Sequence, residues 1–178
     1  MYKILDIMKL FFEEPNRWFG VREFGKLINV TPSTSSKYLE ELMKKDLLER
    51  KRERNLKLYR SKIHDNHKDL KKLYNLAKIR DSGLIKILIE HFNFPEAIVL
   101  FGSYAKAENS KESDIDLFIL SESKKELDLS EIEKKLKSKV QLFIYSRKRF
   151  EIMKTNNKEL LNNILNGLMV YGFLEVFK

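Results

Sequence analysis

The chain has 178 residues and a mass of 21.2 kDa, enough for one ordinary domain or two small ones. Its residues are 43% hydrophobic and 34% charged, and none is cysteine. This composition argues for a packed core and excludes wholesale disorder, disulfide scaffolds, cysteine-ligated zinc and thiol chemistry.

No apolar run approaches the roughly 20 residues of a membrane span. The first apolar stretch, MYKILDIMKLFFEEPNRW, has acids within it and no small-residue cleavage site, unlike a signal peptide. The expected compartment is the cytoplasm, with no membrane partner. Charge is uneven along the chain. Lys and Arg number 35 against 26 Asp and Glu, a formal +9. Residues 1–62 hold 15 basic and 9 acidic side chains, residues 63–96 hold 6 and 5, and residues 97–178 hold 14 and 12. A small basic region beside a near-neutral one fits a polyanion-binding module attached to something else, or a solvated basic surface.

Ile4, Leu5, Met8, Phe11 and Phe12 recur at helical spacing, and Pro15 follows them. Val21–Ile28 predicts a second short helix with Val21, Phe24, Leu27 and Ile28 apolar. Thr31 is a good N-cap and Pro32 suits a first helical position, so a third helix is predicted from Pro32 to about Lys45, with Tyr38, Leu39 and Leu42 on one face. Two short strands follow, Leu47–Arg52 and Leu56–Arg60, with Glu53-Arg54-Asn55 turning between them.

The stretch VREFGKLINVTPSTSSKYLEELMKKDLLERKRERNLKLYR resembles the winged helix-turn-helix of bacterial and archaeal regulators. That resemblance implies double-stranded DNA as a partner. Ser33, Thr34 and Ser36 open the third helix, where small hydroxyls can reach base edges or phosphates, and Thr34 and Ser36 serve equally well in capping or packing. Lys37 is placed for a phosphate, and Lys51, Arg52 and Arg54 for the DNA backbone or minor groove. A module used only for protein contacts or dimerisation is the alternative. A homodimer is expected, because such regulators usually bind two half-sites.

Asp65–Phe92 is helical in pattern, with a break marked by Gly83. His64 and His67 have a metal-pair spacing but no evident third ligand, so a structural role is expected for both. Ala97–Phe101 is a continuous apolar run, read as a buried strand, and ends in Gly102-Ser103. Ten residues later, Asp114–Leu120 reads as a second strand. Its alternation puts Asp114 and Asp116 on one face, Cα atoms about 6.5 Å apart, with Ile115, Leu117 and Ile119 turned to a core.

Two like charges that close call for a cation. Mg²⁺, with Mn²⁺ as a substitute, is hard, oxygen-loving and usually shared with a nucleotide's phosphates. Gly102 allows a phosphate to approach the backbone, and Ser103 offers a hydroxyl. The constellation suggests a metal–triphosphate site with an NTP, most commonly ATP, as substrate or ligand.

The segment LFGSYAKAENSKESDIDLFIL resembles the active-site motif of minimal nucleotidyltransferases of the DNA polymerase beta superfamily, and the likeness runs from about residue 84 to 178. Joined to a winged helix, the chain looks like a group of archaeal proteins that combine the two. The resemblance implies that Gly102 and Ser103 bind phosphates, that Asp114 and Asp116 are the catalytic metal ligands, and that NMP passes to a hydroxyl on a protein, RNA or small molecule. Lys106, within the spacer, reads as a solvated lysine more readily than a phosphate ligand.

Active members usually add a third carboxylate on a later strand. Here that strand is Val140–Tyr145, and Gln141 stands in the acid's place, adding no charge and no base. Ala107 stands where relatives often have Gly.

The remaining elements are a helix over Ser130–Lys137, capped by Ser130 with Glu133 three residues on, helices over Arg147–Met153 and Lys158–Leu165, and a strand over Leu168–Tyr171. Tyr145 and Tyr171 read as core residues rather than base-stacking platforms.

The predicted fold is α+β. A winged helix of three helices and a hairpin occupies 1–62, a helical connector 63–83, and a small mixed-sheet nucleotidyltransferase domain flanked by helices 84–178. Two functions stay open. One is Mg²⁺-dependent nucleotidyl transfer beside a DNA-binding module. The other is a DNA-binding regulator whose second domain only binds nucleotide or a partner protein.

Overall fold

The computed structural model describes residues 3–123 and 126–177. By internal contacts the chain divides into two compact units, Met1–Tyr74 and Asn75–Lys178. The architecture is α+β.

The first unit begins with α1 (Lys3–Glu13), which buries Leu5, Met8, Phe11 and Phe12. After the two-residue strand β1 (Phe19–Gly20) come α2 (Val21–Leu27) and α3 (Pro32–Lys44). Thr31 caps α3 as its hydroxyl accepts from the Thr34 amide at 3.2 Å. The two helices pack closely because both contact residues are small. A Cβ on Gly25 would lie 3.1 Å from Ser35 Cβ, and the buried Ser35 hydroxyl donates to the Val21 carbonyl at 2.6 Å.

Strands β2 (Leu48–Glu53) and β3 (Leu56–Ser61) form an antiparallel hairpin, and β1 adds to β3. The hairpin turns on Arg54 and Asn55, both left-handed at φ 46° and 63°. Two positive φ values make this the mirror-image turn whose twist matches the flanking strands. Phe11, Phe19, Phe24, Leu39, Leu42, Leu48 and Tyr59 form the core.

Two expectations are corrected in this unit. The sheet has a third strand, because Phe19 and Gly20 pair with Tyr59 and Leu58; two residues are too few to show a period. Leu27 is 50% exposed rather than on the core face, because Phe24 alone of the apolar α2 side chains is buried.

Helix α4 (Asp65–Asp81) contains the boundary between the units. Leu70 and Tyr74 pack on the first core, while Leu76 and Ile79 pack in the second. Gly83 at φ 87° separates α4 from α5 (Leu84–His91).

The second unit is built on a four-stranded mixed sheet. Its strands are β4 (Ala97–Phe101), β5 (Ile115–Leu120), β6 (Val140–Tyr145) and β7 (Leu168–Gly172), in spatial order β6-β5-β4-β7. β5 and β6 are parallel, and the other pairs are antiparallel. Period-two alternation sends Ile98, Leu100, Ile115, Leu117 and Ile119 to a core shared with α5 and α7 (Ser130–Leu136). Val99, Phe101, Phe118 and Leu120 face the core under α8 (Arg147–Asn156) and α9 (Lys158–Leu165). A short α6 (Gly102–Lys106) follows β4 directly.

The predicted cap of α7 is also corrected. Ser130 is the first helical residue and Leu129 the N-cap, with no side-chain cap bond; Asp128 Oδ1, one residue further out, accepts from the Ser130 amide at 2.9 Å. Glu133 instead accepts from the Val140 amide at 2.8 Å and so ties α7 to the start of β6.

Candidate functional site

The site lies where β4 gives way to α6 and where β5 begins. Gly102 has φ 67°, a conformation that glycine adopts without a Cβ penalty. A Cβ there would fall on the Asp116 carboxylate. The glycine therefore leaves the space in which that carboxylate sits, fourteen residues further along the chain.

Register explains the meeting. Asp116 pairs with Phe101 on one side and with Gln141 on the other. Asp114, predicted as the first residue of this strand, falls one residue before β5. It nevertheless reaches the same place, because Gln141 Nε2 donates to Asp114 Oδ2 at 2.6 Å.

Burial, and then the charge on Asp114, push the Asp116 carboxyl above its ordinary pKa. Such a group is held against its own preference, and that is a mark of functional sites. Ser103 is the second residue of α6, and its carbonyl accepts from the Glu108 amide at 2.9 Å, closing the turn. Ala107 ends α6 in a left-handed conformation at φ 57°. The expectation that glycine belongs at this position thus has a backbone cause.

Lys106 is exposed and its ammonium lies 3.4 Å from Asn163 Oδ1 on α9. Among the described residues no group of three or more His, Asp or Glu could hold a metal ion. His64 and His67 do not converge. The His64 ring contacts the Asp46 carbonyl, and buried His67 lies 3.2 Å from the Ser61 hydroxyl. Tyr145 and Tyr171 are half-buried and pack against the two cores of the second unit.

Residues 81–166 match the nucleotidyltransferase domain family. The matched stretch includes Gly102, Ser103, Asp114, Asp116 and Gln141. A solved structure described as a possible transcriptional regulator from Methanosarcina mazei Go1 aligns with 51% of this chain and 78% of that chain, at 20% identity and a TM-score of 0.36. No curated protein matches the sequence.

In the first unit, Ser33 and Lys37 are exposed on α3 and share a shallow groove with Ser36, Glu40, Glu41 and Lys44. Thr34 is drawn into the cap, its hydroxyl 3.0 Å from that of Thr31. Arg52 and Arg54 are exposed on the hairpin. Lys51 pairs with Glu53 at 2.8 Å and sits 4.8 Å over the Trp18 ring, which Arg60 also covers at 4.6 Å.

Sequence reasoning missed Glu40. It accepts from Tyr59 at 2.8 Å and from Arg50 at 3.0 Å, and so ties α3 to the hairpin. A charged residue at helical spacing beside Lys37 and Lys44 looks like solvated surface, and nothing local marks it otherwise.

Proposed function

We propose that the protein is a Mg²⁺-dependent nucleotidyltransferase whose first unit is a DNA-binding winged helix. The observation that carries the enzymatic half is the packing of Gly102 against Asp116, with Asp114 beside it. The donor set suits Mg²⁺ or Mn²⁺, which take one or two carboxylates and complete their shell with water and phosphate oxygens. A cation bound there would neutralise charge on the triphosphate of an NTP, most commonly ATP.

The chain's own part is to hold that triphosphate. The turn at Gly102 admits a phosphate close to the backbone, Ser103 offers its hydroxyl, and Asp114 and Asp116 fix the acidic edge. An acceptor oxygen forms a bond to the α-phosphorus, the bond from that phosphorus to the bridging oxygen breaks, and pyrophosphate leaves. Gln141 can take no proton. The acceptor's proton therefore passes to solvent or to a base on the acceptor, which is a protein, RNA or small-molecule hydroxyl.

For the first unit, the support is an arginine at the tip of the hairpin. Arg54 sits at φ 46°, where Asn or Gly is favoured, flanked by Lys51, Arg52 and Lys57. A duplex contacted by Lys37, Arg52 and Arg54 along its phosphates gives affinity that falls with salt. Two copies of the chain would then read two half-sites.

Label transfer tests the enzyme. The full chain is mixed with each α-labelled NTP, Mg²⁺ and cell extract, with Asp116→Asn as control. A labelled product that the variant fails to make supports transfer. Mg²⁺-dependent nucleotide binding with no labelled product supports the second reading, a nucleotide-responsive DNA-binding regulator. That reading is favoured by the Gln141 amide, which occupies an Asp114 oxygen at the position expected for a base.

A further inference from the structure

Among the described residues, Asn75 is the one side-chain amide that is fully buried. It lies on α4, well before the phosphate-facing turn in sequence. Its Nδ2 donates to the Tyr104 carbonyl at 2.8 Å and to Asn109 Oδ1 at 2.8 Å, and Asn109 Nδ2 donates back to Asn75 Oδ1 at 3.5 Å.

These contacts lie on both arms of one segment. Tyr104 belongs to α6, directly after Gly102-Ser103, and its carbonyl also accepts from the Ala107 amide at 3.4 Å. Asn109 lies in the spacer that leads to Asp114. Between Ala107 and Asp114 the spacer has no buried side chain of its own, so packing does little to hold it. A leucine would match the branching of Asn75 but carry no polar atom. Only an amide, with two donors and an acceptor, can satisfy a carbonyl and a second amide at once.

We infer that Asn75 is a positioning residue of the nucleotide site: it anchors α6 and the spacer, so that the turn at Gly102 and the acids at 114 and 116 face one triphosphate. This rests on the reading of Gly102, Ser103, Asp114 and Asp116 as a nucleotide site. Placement of reacting groups to within about 1 Å is worth roughly a hundredfold in rate, so an anchor of this kind acts on binding and turnover without touching the ligand.

The test uses the full chain in three forms: wild type, Asn75→Leu and Ser82→Ala. Ser82 is a buried control just past the end of α4, with hydrogen bonds to the Ile79 carbonyl at 2.6 Å and from the Leu84 amide at 3.1 Å. ATP with Mg²⁺ is titrated calorimetrically, and amide exchange is followed by residue.

In Asn75→Leu, the Kd for ATP with Mg²⁺ is expected to rise at least tenfold. Exchange is expected to accelerate across residues 104–113 while the amides of β4 and β5 keep their protection. Ser82→Ala is expected to change neither. Wild-type affinity and spacer exchange in Asn75→Leu would overturn the inference, as would an equal loss in Ser82→Ala, which would mean general softening. If the wild type binds no ATP, the nucleotide reading falls. The exchange measurement alone then decides whether Asn75 anchors the segment: faster exchange confined to 104–113 upholds it, and unchanged exchange overturns it.

Discussion

Glu40 in the first unit and Asp116 in the second are both half-buried acids beside a sheet, and their surroundings treat them in opposite ways. Glu40 accepts from the Tyr59 hydroxyl and lies near Arg50 and Lys57, which together hold its carboxyl below the ordinary range. Asp116 is pushed up by burial and by its neighbour Asp114. One acid is a brace whose charge is answered within the fold. The other is placed with its charge unanswered, which costs stability and makes sense where a cation or ligand is to bind. Acids of the same chemistry are thus set apart by their burial and by the charges around them.

The sharpest way to break this contrast is Gly102→Ala. The new methyl meets the Asp116 carboxylate and sits on a left-handed backbone. Label transfer, or ATP binding if transfer is absent, should fall at least about a hundredfold. Unchanged activity would mean that the glycine is not there for the acid.

A second probe asks whether every perturbed group marks a site. His67 is buried against Phe12, and desolvation, then Lys71 and His64, lower its pKa from 6.5 to about 4. The Ser61 hydroxyl donates to the Phe11 carbonyl, so His67 Nε2 donates to Ser61, and Nδ1 stays buried without a hydrogen-bond partner among the described residues. The unfolded chain binds a proton below pH 6.5 that the folded chain refuses until about pH 4. Stability is therefore full above pH 6.5 and falls through that window by up to about 3 kcal/mol. Denaturant titrations of wild type and His67→Gln across this range check it; the variant should show a shallower slope. His67 would then be a perturbed group with only a packing role.

The contrast between the two acids predicts opposite signs for neutral replacements. Glu40→Gln should destabilise by about 1 kcal/mol, because it weakens hydrogen bonds to the hairpin. Asp116→Asn should raise Tm by a few degrees while removing transfer, because it deletes a charge that the fold disfavours. Thermal melts of both variants at neutral pH decide; a shared sign would defeat the comparison. The smallest expected effect is a control outside both acids. Lys137 is exposed at φ 54°, so Lys137→Gly should stabilise by up to about 1 kcal/mol.

Much of the second unit was legible in the sequence because its strands alternate or run apolar, and because Gly102-Ser103 and the Asp114–Asp116 pair stand at strand ends. The contacts that organise the site were not. Gln141 reaches Asp114 only through the parallel register of β5 and β6, and Asn75 reaches Asn109 across the end of a helix. Neither residue belongs to a local pattern. The left-handed residues Arg54 and Lys137 were hidden for another reason: neither is the glycine or asparagine that usually announces such a backbone. Ser130 was read as a cap because Ser with Glu three residues on is a familiar signature, whereas the helix begins at Ser130 itself.

The division of the chain inside α4 bears on modularity. Tyr74 donates to Glu13 at 3.0 Å within the first core, and the very next residue is the buried amide of the second unit. There is no slack segment at that boundary for a protease to nick or for recombination to cut. A fragment ending at Tyr74 would lose the last turns of its helix, and one beginning at Asn75 would put its buried anchor at a fraying terminus. The two units can be told apart by their contacts, yet neither can be lifted out as a cassette without sharing residues 65–81 with the other.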